Sequence, residues 1–122
     1  MPLVEVMHNG FSTKEQQKLK RLLSESVARE LDCSQKDPDG ALKDEDINVR
    51  FRAYGLNDDC EYDVDVLVIA KWFEARAANL DERTGNIRDH LCLNLGSDVN
   101  MVGVFVTLPV SGWAMGYPYG GE

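Results

Sequence analysis

The sequence of 122 residues contains no apolar run near the roughly 20 residues that a membrane-spanning helix needs. It has only three cysteines, an odd number at wide spacing, which argues against a disulfide framework and favours reduced thiols. Positive charge is also in short supply, because 13 Lys and Arg face 21 Asp and Glu, for a formal net charge of −8. An acidic surface repels phosphate groups, so neither nucleic acid nor an anionic membrane is expected as the main partner.

Motifs of well-known chemistry are scarce as well. The two histidines, His8 and His90, lie far apart and in no zinc-ligand spacing, so we expect no metal site. The sequence has neither a glycine-rich phosphate loop nor a G-x-S-x-G nucleophile motif. The first residues lack a basic start followed by an apolar stretch, so we expect no signal peptide and predict a cytoplasmic protein.

What the sequence does have is an ordinary globular composition, with 43% hydrophobic and 28% charged residues. The length suits one domain over residues 1–122. The pattern of elements divides it into halves of about 1–62 and 63–122. Each half reads as strand, helix and strand, and neither is large enough to bury a core alone.

The first half begins with a predicted strand over residues 2–8, where apolar residues occupy both faces. Ser12 and Glu15 have the spacing of a capping box, which predicts the start of a long amphipathic helix. The polar segment 33–46, with a proline and a glycine, predicts a solvated loop after that helix. Alternation of apolar and polar residues predicts a second strand over 47–54.

The second half contains the most apolar stretch of the sequence, within a predicted strand over 64–73 that we expect to be buried on both faces. A leucine and isoleucine stripe predicts a helix from about 79 to 95. Gly85 lies inside that helix at a cost on the order of 1 kcal/mol. The last predicted strand spans 99–108.

Two architectures of the α+β class fit a doubled strand–helix–strand order. In one, two parallel βαβ units lie side by side as a four-stranded mixed sheet with two helices on one face. The other is the ferredoxin-like βαββαβ plan. The order of elements alone does not separate them.

The first six residues, Met-Pro-Leu-Val-Glu-Val, resemble the start of the tautomerase superfamily, which includes 4-oxalocrotonate tautomerase and macrophage migration inhibitory factor. In that family a proline becomes the amino terminus when methionine is removed, and it leads directly into the first strand. The resemblance implies the paired βαβ architecture, a homotrimer, and a cofactor-free tautomerase or isomerase acting on a small-molecule carboxylate. It also implies that Pro2 is the catalytic general base and acid.

The chemistry of a free amino-terminal proline fits this role. It is a secondary amine, and α-amino groups titrate near ~7.7–8.0 in model compounds. An apolar pocket or a nearby cation would depress the pKa further and leave a neutral base at physiological pH. Such a base takes a proton next to a carbonyl group and returns it elsewhere on the conjugated system, with no metal or organic cofactor.

Arg50 and Arg52 are the predicted catalytic partners of this base. Their spacing puts both on one strand face together with Tyr54, and a guanidinium holds a carboxylate in bidentate fashion. The resemblance implies an arginine in the second strand and an aromatic pocket residue near the carboxyl end of the chain. Trp113 and Tyr117 are similar to that aromatic residue, and with Tyr54 they form the predicted substrate pocket.

Two other functions remain open on sequence grounds. One is a non-catalytic oligomeric binding protein on the same fold. The other is a ferredoxin-like, ligand-binding regulatory domain in which Pro2 has no catalytic role.

Overall fold

The computed structural model describes residues 2–60, 62–96, 99–110, 112, 114 and 116–118. Its strands and helices, in chain order, are β1 (Leu3–His8), α1 (Thr13–Leu31), β2 (Asn48–Ala53), β3 (Val64–Ile69), α2 (Glu74–Ala77), α3 (Leu80–Asn94) and β4 (Val102–Thr107). Two 3₁₀ turns, Pro38–Gly40 and Asp44–Asp46, lie between α1 and β2. In this part of the chain, no helix is long and apolar enough to cross a membrane.

The four strands form one mixed sheet in the order β2-β1-β3-β4. Within each half the strands are parallel, β1 with β2 and β3 with β4, while β1 and β3 meet in antiparallel fashion at the centre. A ferredoxin-like plan would instead separate the two strands of each half. The prediction of paired parallel βαβ units in the α+β class is therefore confirmed.

The core lies between one face of the sheet and the two long helices. Valines that alternate along the central strands point to this face, and Val4, Val66 and Val68 are fully buried. Leucines at helical spacing on α1 and two residues of α3 cover them. Both helices lie on the same face as predicted, because each crossover joins neighbouring parallel strands in the same right-handed sense.

Helix α1 begins as the sequence predicts. The Ser12 hydroxyl accepts a hydrogen bond from the Glu15 N–H at 3.2 Å, and the Glu15 carboxylate accepts one from the Ser12 N–H at 3.0 Å. This capping box satisfies two amide donors that the first turn of a helix leaves without partners. The helix ends at Leu31, just before the predicted polar segment.

The second half differs from the prediction in β3, in α2 and in β4, which begins at Val102 and not at residue 99. The predicted strand over 64–73 ends at Ile69, and only its helix-facing side is fully buried, since the other side is half-buried. The short helix α2 follows and was not predicted, because four residues are too few to show a helical period. Helix α3 runs unbroken through Gly85, close to its predicted bounds.

His8 ends β1 as a buried side chain with a fixed tautomer. Its Nδ1 atom accepts a hydrogen bond from the Phe11 N–H at 3.0 Å, and its ring packs against Phe11 and Phe51. Burial lowers the pKa of His8 from its ordinary value of 6.5, and the Glu15 charge only partly opposes this. The folded protein therefore favours the neutral imidazole.

We expect the folded state to lose stability as the pH falls through about 6.5, where the unfolded chain takes up a proton that folded His8 resists. The free energy of unfolding, measured by urea titration between pH 7.5 and 5.5, should decrease over this range. His8→Asn retains a hydrogen-bond acceptor that does not titrate, so it should flatten the decrease. His90→Asn, the matched control, should leave the decrease due to His8 in place, and an unchanged slope in His8→Asn would contradict the assignment.

Candidate active site

A cavity of about 240 Å³ opens at the end of the sheet where β1 begins. Because β3 runs antiparallel to β1, the residues that follow β3 lie at the same end of the sheet. The chain between α1 and β2 also ends there, since β2 starts beside β1. The described residues that line the cavity are Pro2, Asp39, Ala41, Leu42, Asp46, Lys71, Phe73 and Arg76.

Pro2 is buried at this cavity and its main chain is held by the sheet. The Asn48 N–H donates a hydrogen bond to the Pro2 carbonyl oxygen at 3.0 Å, which extends the pairing of β1 and β2 by one residue. Proline has no N–H to contribute to the sheet, so its position at the head of a strand leaves no ladder donor unpaired.

Arg76 joins three segments of main chain beside the cavity. Its guanidinium donates to the carbonyl oxygens of Leu31 at 2.6 Å, Lys71 at 2.9 Å and Gly40 at 3.2 Å. The side chain is buried, and burial lowers the pKa of Arg76 from its ordinary value, although arginine stays protonated. A guanidinium has five N–H donors, and these three bonds use three of them.

Lys71 brings a second cation to the cavity. Its ammonium lies 5.4 Å from the centre of the Phe73 ring, and the guanidinium carbon of Arg76 lies 4.7 Å from the same ring. An aromatic face stabilises cations at such distances. Unlike Arg76, Lys71 is exposed, so its ammonium can approach an incoming carboxylate.

The acidic lining residues come from the two 3₁₀ turns. Asp46 is half-buried, and its Oδ2 atom accepts a hydrogen bond from the Lys43 N–H at 2.9 Å. Asp39 precedes Gly40, where a Cβ atom would lie only 2.3 Å from the Cys33 Sγ atom. This contact requires glycine at position 40 and fixes the turn that carries Asp39.

No family model matches the sequence, and no curated protein matches it either. Solved structures do match it. A fused 4-OT described as a wild-type symmetric trimer has a TM-score of 0.62 at 18% identity over 98% of this chain and 97% of its own. FG41 malonate semialdehyde decarboxylase, inhibited by 3-bromopropiolate, has a TM-score of 0.66 at 12% identity over 94% and 89%.

A macrophage migration inhibitory factor-like protein from Entamoeba histolytica is also similar, with a TM-score of 0.58 at 9% identity over 95% of this chain and 96% of its own. These three proteins belong to the tautomerase superfamily. The chain has the tautomerase fold. The resemblance carried by the first six residues therefore predicted the architecture correctly.

Within one chain of this tautomerase fold, the structure does not bring Arg50 and Arg52 together with Pro2. Both are exposed on the sheet face opposite the helices, where they line a separate cavity with Glu5 and Met7. They pair with β1 residues farther along the strand than Pro2. The prediction that both arginines lie on one face of the strand is confirmed. The cations that line the Pro2 cavity come from other segments.

The predicted aromatic residues are also separate from this cavity. Tyr54 lies at the far end of β1, where its N–H donates to the His8 carbonyl oxygen at 3.0 Å. A strand of six residues puts it roughly 20 Å from Pro2. Tyr117 is exposed, and Trp113 lies outside the described residues.

Four charged lining residues were missed by the sequence interpretation, namely Asp39, Asp46, Lys71 and Arg76. The acids lie in the segment predicted as a solvated loop. The cations follow an apolar strand whose direction relative to β1 was unknown. Among the described residues, no group of three His, Cys, Asp or Glu side chains is placed to hold a metal ion.

We expect Arg76→Met to lower the free energy of unfolding by about 3 kcal/mol, because three buried carbonyl oxygens would lose a charged donor. Urea titration of the folded protein measures this effect. Arg88→Met is the matched control, since Arg88 forms an exposed ion pair with Asp89 at 3.0 Å. Its cost should stay within about 0.5 kcal/mol, and equal costs for the two variants would refute the assigned role of Arg76.

Proposed function

We propose that this chain is a cofactor-free tautomerase or isomerase of small carboxylic acids, with the nitrogen of Pro2 as general base and acid. The observation that carries the proposal is the buried Pro2 at the head of β1, in a cavity it shares with Lys71 and Arg76. Removal of Met1 would convert the Pro2 nitrogen from an amide into a secondary amine.

The surroundings of Pro2 favour the neutral amine that such a base requires. Burial disfavours the charged ammonium form, and the two neighbouring cations also disfavour it, while the two carboxylates of the same lining act in the opposite direction. The neutral amine would take a proton from a carbon next to a carbonyl group. The resulting ammonium would return the proton at another position of the conjugated system, so the net reaction is an isomerisation without an external reactant.

Lys71 and the remaining donors of Arg76 are suited to bind the substrate carboxylate and the developing enolate. Cations fixed at the place where negative charge develops stabilise a transition state more than a ground state. The similar decarboxylase is inhibited by 3-bromopropiolate, a small carboxylate, which supports a ligand of this class. For Arg50 and Arg52, a role in catalysis stays a prediction that requires a neighbouring subunit.

The uncovered face of the sheet supports a homotrimer as the working form. It carries half-buried Leu67 and Ile69, and Phe105 retains 64% of its surface exposed. The outer strands β2 and β4 leave backbone groups open to pairing. Together with the two open edges, this apolar patch on β3 and β4 favours association with other copies, and the fused 4-OT structures are trimers by description.

To test the base, we would prepare the untagged chain, verify loss of Met1 by mass spectrometry, and follow ketonisation of the enol form of phenylpyruvate. Pro2→Ala should lower kcat/KM by about 100-fold or more, because it alters the amine that transfers the proton. A form with one extra residue ahead of Pro2 should be inactive, because its Pro2 nitrogen is an amide.

Pro109→Ala is the matched control, since Pro109 is exposed and does not line the cavity. It should retain full activity, and circular dichroism should confirm that all forms are folded. Activity that survives both changes at Pro2 would rule out the amine as the base. A folded chain that lacks Met1 and acts on no enol acid would favour the non-catalytic binding protein.

We expect Phe105→Glu to dissociate the oligomer, because it places a charge in the apolar patch on β3 and β4. Sedimentation equilibrium should give the mass of three chains for the wild type and of one chain for the variant. Leu93→Glu is the control, since Leu93 is 84% exposed on α3, away from the sheet. A wild-type mass of one chain would exclude the trimer.

A further inference from the structure

We infer that the Pro2 cavity selects monocarboxylates over dicarboxylates, and that Asp39 and Asp46 are the residues that impose this selection. The inference rests on the proposed function, in that it assumes a carboxylate bound beside Lys71 and Arg76. It adds which carboxylic acids bind in the cavity and which residues disfavour the binding of the others.

The formal charges of the described lining residues balance before a ligand binds. Lys71 and Arg76 contribute two positive charges, and Asp39 and Asp46 contribute two negative charges. A first carboxylate bound by the cations leaves this part of the lining with a net negative charge. A second carboxylate on the same ligand would then approach acidic side chains with no free cation among the described lining residues to meet it.

The cavity is also small. About 240 Å³ accommodates an acid of roughly ten heavy atoms, so the far end of a ligand that fills the cavity lies near the acidic side chains. Charges in so small a space lie within the Debye length of about 8 Å at physiological ionic strength. Salt therefore screens their repulsion only weakly.

The turns that carry the two acids are held in place, although the Asp39 side chain itself is exposed. The Asp46 carboxylate accepts the Lys43 N–H, which ties it to its own turn. The turn of Asp39 is fixed through Gly40, whose N–H donates to the Asp37 carbonyl oxygen at 2.8 Å and whose own carbonyl oxygen accepts from Arg76. A ligand therefore meets the negative charges without first displacing the turns.

Carboxylates also accept hydrogen bonds, which suggests what the far end of the substrate contains. A hydroxyl or enol group there would donate to Asp39 or Asp46, whereas a carboxylate would offer only acceptors. The substrate class that fits is a short monocarboxylic acid with a hydroxyl or enol donor distant from its carboxylate.

Sorbate and trans,trans-muconate provide a matched pair of unreactive probes, because both have a six-carbon diene acid and differ only in a methyl or a carboxylate end. Their dissociation constants would be measured by NMR titration of the full chain without Met1. We expect sorbate to bind at least tenfold more tightly. The monomethyl ester of muconate, which is larger but carries one charge, should bind like sorbate and thereby separate charge from size on the wild-type protein.

Variants identify the residues that reject the second charge. Asp39→Asn and Asp46→Asn should each reduce the sorbate preference, and the double variant should bring the two dissociation constants within threefold. Asp44→Asn is the matched control, because Asp44 belongs to the same turn as Asp46 but does not line the cavity. It should leave the preference unchanged.

Lys71→Gln separates this inference from the proposed function. If sorbate does not bind, or binds equally well to Lys71→Gln, the carboxylate site itself is refuted and the selection with it. If sorbate binding requires Lys71 but muconate binds as tightly as sorbate, or the preference survives the double variant, only the inferred selection is overturned.

Discussion

The buried guanidinium of Arg76 is the interaction on which the rest of the cavity depends. It binds the last carbonyl of α1, the first 3₁₀ turn and the segment after β3, three regions that are distant in sequence. Arg83 adds to the same region by donating to the carbonyl oxygens of Glu30, Asp32 and Ala75. Both arginines belong to the second half of the chain, so the end of a helix in the first half is capped by the second.

This arrangement gives the two halves different tasks. The first half supplies Pro2 and the acidic turns, and the second half supplies Lys71, Phe73 and Arg76. Neither half contains a complete cavity, just as neither buries a complete core. The site therefore forms only when the sheet forms. The antiparallel pairing of β1 with β3 brings both sets of residues to the same end of the sheet.

Local patterns predicted most of the fold. The capping box at Ser12 and the alternation in β1 depend on neighbours within a few residues, so the sequence alone contains them. The site depends on strand order, which local patterns do not encode. The alternation placed Arg50 and Arg52 on the correct strand face but could not tell that this face points away from the helices and the Pro2 cavity. Lys71 and Arg76 can be assigned to the site only from the antiparallel pairing of β3 with β1.

The close packing of Cys33 against Gly40 couples two positions of the chain. The sulfur of Cys33 occupies the volume in which a side chain at position 40 would begin. The two residues therefore compete for one volume, and a methyl group at position 40 fits only if the Cys33 sulfur moves or is absent. Natural or engineered variation at either position should be compensatory, with a gain in bulk on one side matched by a loss on the other.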